Sequence, residues 1–352
     1  MHWLKAGLVA FVLASSSFIS PSQAAPVRMS DLASTQAVLH WISLYRRGPD
    51  PTSVPKVMRT LSTLGAFNDP EHCGVYAGFF AGVLAANPRR AEALIAQTLK
   101  MKSDDRWMVV RAIAHSGLPN WKYLLRQFAD RIPSRKVMID RYIEGNLPTL
   151  AQFTIAPEPS TWDRLEEKLH LDAIFGEPPK KLILEPSADV LDLLWGYYFG
   201  TGSYGPIMHI VALLAWSQDR NDVERLAIGS MAKYTLASNA MHDRRLLAML
   251  KDSRAARGQP KKIVEALKEI IDAAETVQTG KLRQEALAAI NEVKAKGPAY
   301  KRTLSMWSYL GQTAIAGGCV AAAVSGLVAL GLPCVVGGAT SSAVMNFLSN
   351  MP

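Results

Sequence analysis

Cysteine is scarce: Cys73, Cys319 and Cys334 are the three in 352 residues. A disulfide-stapled scaffold is excluded, and the odd count leaves at least one thiol without a partner in the chain. Cys319 and Cys334 are spaced to close one short loop, worth about 3 kcal/mol where the geometry allows. Metal-ligand spacing is also missing. His40, His72, His115, His170, His209 and His242 form no H-E-x-x-H and no other ligand pair on one helical turn. Glu71-His72-Cys73 is the nearest cluster, but consecutive residues of a helix point in different directions, so no metal is expected.

Nucleophile motifs are absent as well. No G-x-S-x-G lies on a strand-turn-helix, and Ser203 sits among glycines in the wrong order for one. Adjacent acids such as Glu166-Glu167 read as a solvated helix surface. A carboxylate pair drawn from distant positions, as in helical muramidases, is the enzymatic alternative that spacing leaves open. The net charge of +9 is spread rather than clustered, with cations alternating with acids in KKIVEALKEIIDAAETVQTGKLRQEALAAINEVKAK. A nucleic-acid footprint concentrates on one face, so no nucleic-acid partner is expected. A mild attraction to anionic lipid head groups is compatible with the excess.

What the sequence does contain begins with its first residues, MHWLKAGLVAFVLASSSFISPSQAAPV. Lys5 precedes a short apolar run, and Ser22 and Ala24 place small residues where a signal peptidase reads them. Residues 1–24 are therefore expected to be a cleaved signal peptide, directing the mature chain to the periplasm or cell envelope. The apolar run falls short of the about 20 residues that span a bilayer.

From there to about residue 300 nearly every segment carries helical period and helical punctuation. Ser30 is placed to cap DLASTQAVLHWISLYRR, Ser53 to cap VPKVMRTLSTL, and Asp69-Pro70 and Asn87-Pro88 supply a cap followed by a first-turn proline. GNLPTLAQFTIAPEPST and GEPPKKLILEPSAD break the rhythm; KLILE reads as a lone extended stretch. VLDLLWGYYF, PIMHIVALLAW, DVERLAIGSMAKYTLA and MHDRRLLAMLK resume it. The fold class is all-α: an irregular helical bundle or an α-solenoid-like stack of helical hairpins, without a fixed repeat. The expected organisation is a helical lobe over 25–150, a proline-rich connector with one helix over 151–188, a second helical lobe over 189–302, and a separate tail over 303–352.

That tail carries no Asp, Glu, Lys or Arg after Arg302. From Trp307 to Leu332 it is long enough to cross a bilayer, and GLP marks a turn into a hydrophobic, Gly/Ala-rich helical hairpin. Ala314, Gly318, Ala322 and Gly326 recur every fourth residue, and Gly338 and Ser342 continue the theme, giving a face that another helix or a membrane partner can approach. In composition alone the tail resembles the hydrophobic hairpin of pore-forming colicins. Lys294, Lys296, Lys301 and Arg302 precede it on the side that export leaves outside, against the positive-inside tendency. A membrane-associated hairpin and a hairpin packed in the core are the two readings; length and absence of charge favour the membrane.

GTGSYG, Gly200 to Gly205, matches the G-x-G-x-x-G spacing of dinucleotide loops. Such a loop needs a strand before it and a second strand after the following helix, and PIMHIVALLAW fills that interval as helix. The stretch reads instead as a helix-to-helix turn restarted by Pro206, and no nucleotide or other cofactor is expected. Around it crowd Trp195, Tyr197, Tyr198 and Tyr204, either a core layer or a small aromatic surface for a peptide, glycan or partner protein. The functional expectation is an exported, non-enzymatic envelope protein, a helical scaffold or binding module whose partners are protein or membrane lipid. Its rivals are a toxin-like protein inserting its tail into a target membrane and a helical cell-wall hydrolase.

Overall fold

The computed structural model describes residues 32–70, 73–155, 182–219 and 222–296. The expected signal peptide, the tail with Ala314, Gly318, Ala322, Gly326, Gly338 and Ser342, the pair Glu166-Glu167, and Cys319 with Cys334 lie outside these residues, as do Glu71 and His72. Among the described residues the chain is all-α, with thirteen α-helices joined by short 3-10 turns and no strand. No helix among them is long and apolar enough to cross a membrane.

The helices are α1 (Thr35–Leu44), α2 (Val54–Thr63), α3 (Gly74–Ala86), α4 (Ala91–Thr98), α5 (Trp107–His115), α6 (Trp121–Phe128) and α7 (Lys136–Glu144). After residues 145–187 come α8 (Ala188–Thr201), α9 (Gly205–Ala212), α10 (Val223–Ala240), α11 (Arg244–Ala255), α12 (Lys261–Glu275) and α13 (Gly280–Lys296). Ser53 and Asn87 stand just before α2 and the 3-10 turn Pro88–Arg90 as expected, but neither side chain caps there. Ser34, not Ser30, caps α1, its hydroxyl accepting the Ala37 N–H at 3.2 Å. Ser187, Asp222 and Asp243 cap α8, α10 and α11 through their side chains. The helix expected straight after Asp69-Pro70 begins only at Gly74. Leu184 of KLILE makes a single parallel bridge to Phe153, too little for a sheet.

One hydrophobic core runs from Leu32 to Ala286 and takes in residues from all these segments. At its centre lie α3 and α8. Helix α3, GVYAGFFAGVLAA, is apolar on every side, so no face of it suits water and it is enclosed by the others. Its glycines recur at 74, 78 and 82, and α8 answers with Gly196 and Gly200. These positions bring backbone against backbone: a Cβ on Gly78 would lie 2.0 Å from the Leu193 carbonyl oxygen, and one on Gly196 would lie 2.1 Å from that of Val75. Gly74 meets Asp189 and Asp192, Gly78 meets Leu193, and Gly82 meets Tyr197 and Gly200. The contacts advance together along both chains, so α3 and α8 run parallel. Their amino ends share one end of the pair and their carboxyl ends the other.

Outside this pair, α5 packs on α3, and α10 packs on the 3-10 helix Leu213–Gln218, on α12 and on α13. Lys233 of α10, nearly buried, is met by Glu269 of α12 at 2.6 Å and Glu285 of α13 at 2.8 Å. A lysine inside a helical layer is tolerable only when its charge is matched, and here it is matched twice.

Candidate functional site

The shared carboxyl ends of α3 and α8 open into a cleft of about 340 Å³. Four separated stretches wall it: Tyr45, Arg46 and Pro49 after α1, Ala86 and Asn87 ending α3, Tyr198 to Tyr204 around the end of α8, and Arg245 in the first turn of α11. GTGSYG thus lines this cleft, and its glycines act as backbone devices of the helix pair. Gly200 is a helical residue pressed against the backbone of α3, with Phe79 O 2.6 Å from where its Cβ would be. Gly202 closes α8 in the left-handed region, φ +68, and its N–H reaches the Tyr198 carbonyl at 2.6 Å. Pro206 lies in the first turn of α9 and restarts the chain as the sequence implies.

The four aromatics expected near this turn take separate places. Trp195 is wholly buried, and its indole N–H donates to the Thr235 hydroxyl at 3.1 Å. Tyr197 turns toward α5 and donates to the Ser116 carbonyl at 3.0 Å. Tyr198 and Tyr204 are the two that reach the cleft: Tyr198 forms its floor, and Tyr204, 46 % exposed, stands at its mouth.

Beneath the floor lies a charged knot that sequence spacing does not reveal. Tyr198 donates its hydroxyl to Asp243 Oδ2 at 2.6 Å, Arg46 pairs with the same carboxylate, and the Arg46 guanidinium lies 5.0 Å above the Tyr198 ring. The other carboxylate oxygen, Oδ1, accepts the N–H groups of Arg245 and Leu246, each at 3.1 Å, which caps α11. Burial alone would raise the Asp243 carboxyl. The bonds from Tyr198, Arg46 and Leu246, with the Arg46 charge, outweigh it and hold the group below its ordinary 3.8. Burial and the Asp243 carboxylate push the Tyr198 phenol up, so it remains a donor. Arg47 adds a bond to the His242 carbonyl at 3.0 Å, tying the end of α1 to the start of α11. Two polar atoms in this wall find no hydrogen-bond partner among the described residues, the Tyr45 hydroxyl and Arg46 Nε.

The lining holds no carboxylate, histidine, serine or cysteine. Its hydroxyl groups are those of Tyr45, Tyr198, Tyr204 and Thr201. Away from the cleft a second polar group is largely buried. Arg111 of α5 grips both oxygens of Asp189, His115 accepts the Leu150 N–H at 3.0 Å, and Cys73 donates to the carbonyls of Asp69 at 3.0 Å and Ala66 at 3.3 Å. Burial drives the Cys73 thiol far above its usual range and the His115 imidazole well below 6.5, the Arg111 charge adding to the latter. A thiol kept protonated is a poor nucleophile. Among the described residues no three of His, Cys, Asp and Glu converge as a metal would require.

No family model matches this chain, and no curated protein or solved structure matches it.

Proposed function

We propose that this chain is a non-enzymatic binding module of the cell envelope, exported by its signal peptide, whose helical body holds a small polar ligand in the cleft between Tyr204 and Arg245. The observation that carries the reading is the composition of that cleft. It offers an exposed aromatic ring, a guanidinium at Arg245 that no ion pair occupies among the described residues, and amide and hydroxyl groups at Asn87 and Thr201. Such a set orients and discriminates a ligand. The charge-free stretch beyond Arg302 is, on this reading, the part that meets a membrane.

The direct test is thermal melting of the full chain against amino acids, sugars and phosphate esters, in the wild type and in Ala86→Trp. Ala86 is exposed at the mouth, so the indole obstructs the cleft without disturbing the core. At least one class should raise the midpoint of the wild type and leave the variant unmoved. Equal responses in both proteins would remove the cleft as the binding site. Fractionation settles the location: recovery of an uncleaved chain from the cytoplasm refutes export. Flotation with liposomes tests the tail, since the full chain should float and a chain ending at Arg302 should not.

A further inference from the structure

From the electrostatics of this cleft, and resting on its role as a binding site, we infer that its ligand is a small zwitterion of the amino-acid kind, free or as a dipeptide. A simple anion is ill suited. Two parallel helices end at one wall, at Ala86–Asn87 and Gly200–Gly202. Each helix carries about half a negative charge on its last carbonyls. Some of these are met internally, Val83 O by Asn87 Nδ2 at 2.9 Å and Tyr198 O by Gly202 N at 2.6 Å, but the final carbonyls of a helix lack intrahelical donors. That wall attracts an ammonium group and repels an anion.

The wall that the end of α1 and the start of α11 contribute has the reverse sign. Arg46 and Arg245 bring two guanidinium charges, and Asp243, behind Arg46, neutralises one of them. Arg245 stands in the first turn of α11, whose leading N–H groups are capped by Asp243, and is itself exposed. The space between is therefore dipolar and close to neutral in total. A ligand with ammonium and carboxylate a few bonds apart aligns with it, whereas a lone cation or lone anion is opposed by one wall. A third feature belongs to the same place. Tyr45, only 4 % exposed, lines the cleft, yet its hydroxyl has no partner among the described residues. A buried hydroxyl without a partner is destabilising, and a bound amine or carboxylate relieves this by pairing with it. Tyr204 and Pro49 supply apolar surface for a side chain, and a volume of about 340 Å³ admits one or two residues.

The experiment is calorimetric titration of the full chain with L-alanine, L-leucine, L-phenylalanine and Ala-Ala, each to about 10 mM, the range in which weak ligands saturate. At least one should bind. Its N-acetyl form and its carboxamide form should each bind about tenfold or more weakly, because each loses one charge-assisted contact. Arg245→Ala should weaken binding of the zwitterion by a similar factor with no change in the melting of the free protein, and Arg245→Lys should recover part of it. If the N-acetyl or carboxamide form binds as well as the parent, the dipolar reading is wrong. Unchanged binding by Arg245→Ala would also overturn it. If neutral sugars or inorganic phosphate bind and amino acids do not, the ligand class falls while an Ala86→Trp-sensitive binding cleft survives. If none of these probes binds, both fall.

Discussion

Replacing Gly78 by alanine tests the central contact of the fold with a single methyl group. Alanine is otherwise favoured in a helix over glycine by about 1 kcal/mol, so without tertiary conflict the change should stabilise. The conflict is severe. The added Cβ would lie 2.0 Å from Leu193 O and 2.8 Å from its carbonyl carbon, well inside the 3.4 Å at which ordinary contact begins. Both atoms belong to the backbone of α8, so no rotamer change relieves the overlap and the two helices must part. Parting them loosens the apolar layer on either side, where Val75, Phe79, Val83, Leu193 and Trp195 are wholly buried. Overpacking of this kind costs about 1–3 kcal/mol when side chains can yield, and a rigid backbone places the expected loss at the upper end, about 3 kcal/mol net of the propensity gain. Against a total stability of about 5–15 kcal/mol the loss is readily measured by urea denaturation followed by circular dichroism. Two glycines serve as controls. Gly280 opens α13 with nothing within 4 Å of its Cβ position, so Gly280→Ala should be neutral or slightly stabilising. Gly202 also has open space but sits at φ +68, so Gly202→Ala should lose about 1 kcal/mol through backbone strain alone. A Gly78→Ala protein within about 0.5 kcal/mol of wild type would refute the close-packed pair, because surface-like tolerance is incompatible with that overlap.

Three further outcomes follow from the charged groups. Asp243 is held below its ordinary value of 3.8, so its contribution is complete above that value and is lost as pH falls through the lower folded one; the acid limb of the melting curve should flatten in Asp243→Asn, whose midpoint at neutral pH should already be reduced. His115 is kept neutral well below 6.5, so the unfolded chain takes up its proton first and stability should decline from about pH 6.5 downward, a slope that His115→Gln removes. Removing Lys233 with Lys233→Met leaves Glu269 and Glu285, both partly exposed, without the cation between them and should cost about 1 kcal/mol by denaturation, while the triple change that also makes both glutamates glutamine should recover part of it.

The helical class was readable because it depends on local rules. Punctuation by Ser53, Asn87-Pro88, Gly65 and Gly117 places helix ends within a few residues, and four helices are capped by the short polar side chains such positions favour, Ser34, Ser187, Asp222 and Asp243. The four-residue spacing of small side chains was legible in the charge-free tail, yet the same spacing at Gly74, Gly78 and Gly82, repeated at Gly196 and Gly200, is where the structure brings two helices into backbone contact. Its significance there depends on which helix faces it, and Leu193 lies more than a hundred residues away along the chain. The aromatic cluster shows the same limit. Trp195, Tyr197 and Tyr198 are close in sequence, but a helix turns them in different directions, and only Tyr198 and Tyr204 reach the cleft. Tyr45, Arg46 and Arg245 carried no signal of their own. Arginine after a helix end is common, and nothing local says that Arg46 will meet an aspartate almost two hundred positions on.

The parallel sense of α3 and α8 connects the fold to the cleft. Two helices lying side by side in the same direction place like partial charges together at both ends, a repulsion that antiparallel neighbours avoid. At the amino ends the chain supplies acid: Asp189 and Asp192 lie in the first turns of α8, packed against Gly74, with Arg111 balancing Asp189. At the carboxyl ends it supplies Arg46 and Arg245. Compensation differs between the two ends, however. At the amino end the cation comes from α5, whose Arg111 pairs with Asp189, both side chains being largely but not wholly buried. At the carboxyl end the compensating cations reach in from α1 and α11 rather than from the pair itself, and a gap remains between the carbonyl wall and the guanidinium wall. The glycines make this sharper, because drawing the axes together brings the two carbonyl ends close enough to act on one ligand. The same close packing that stabilises the core thus gives the cleft its opposed charges, and a substitution that spreads the pair, such as Gly82→Ala beside Tyr197 and Gly200, should weaken binding as well as stability.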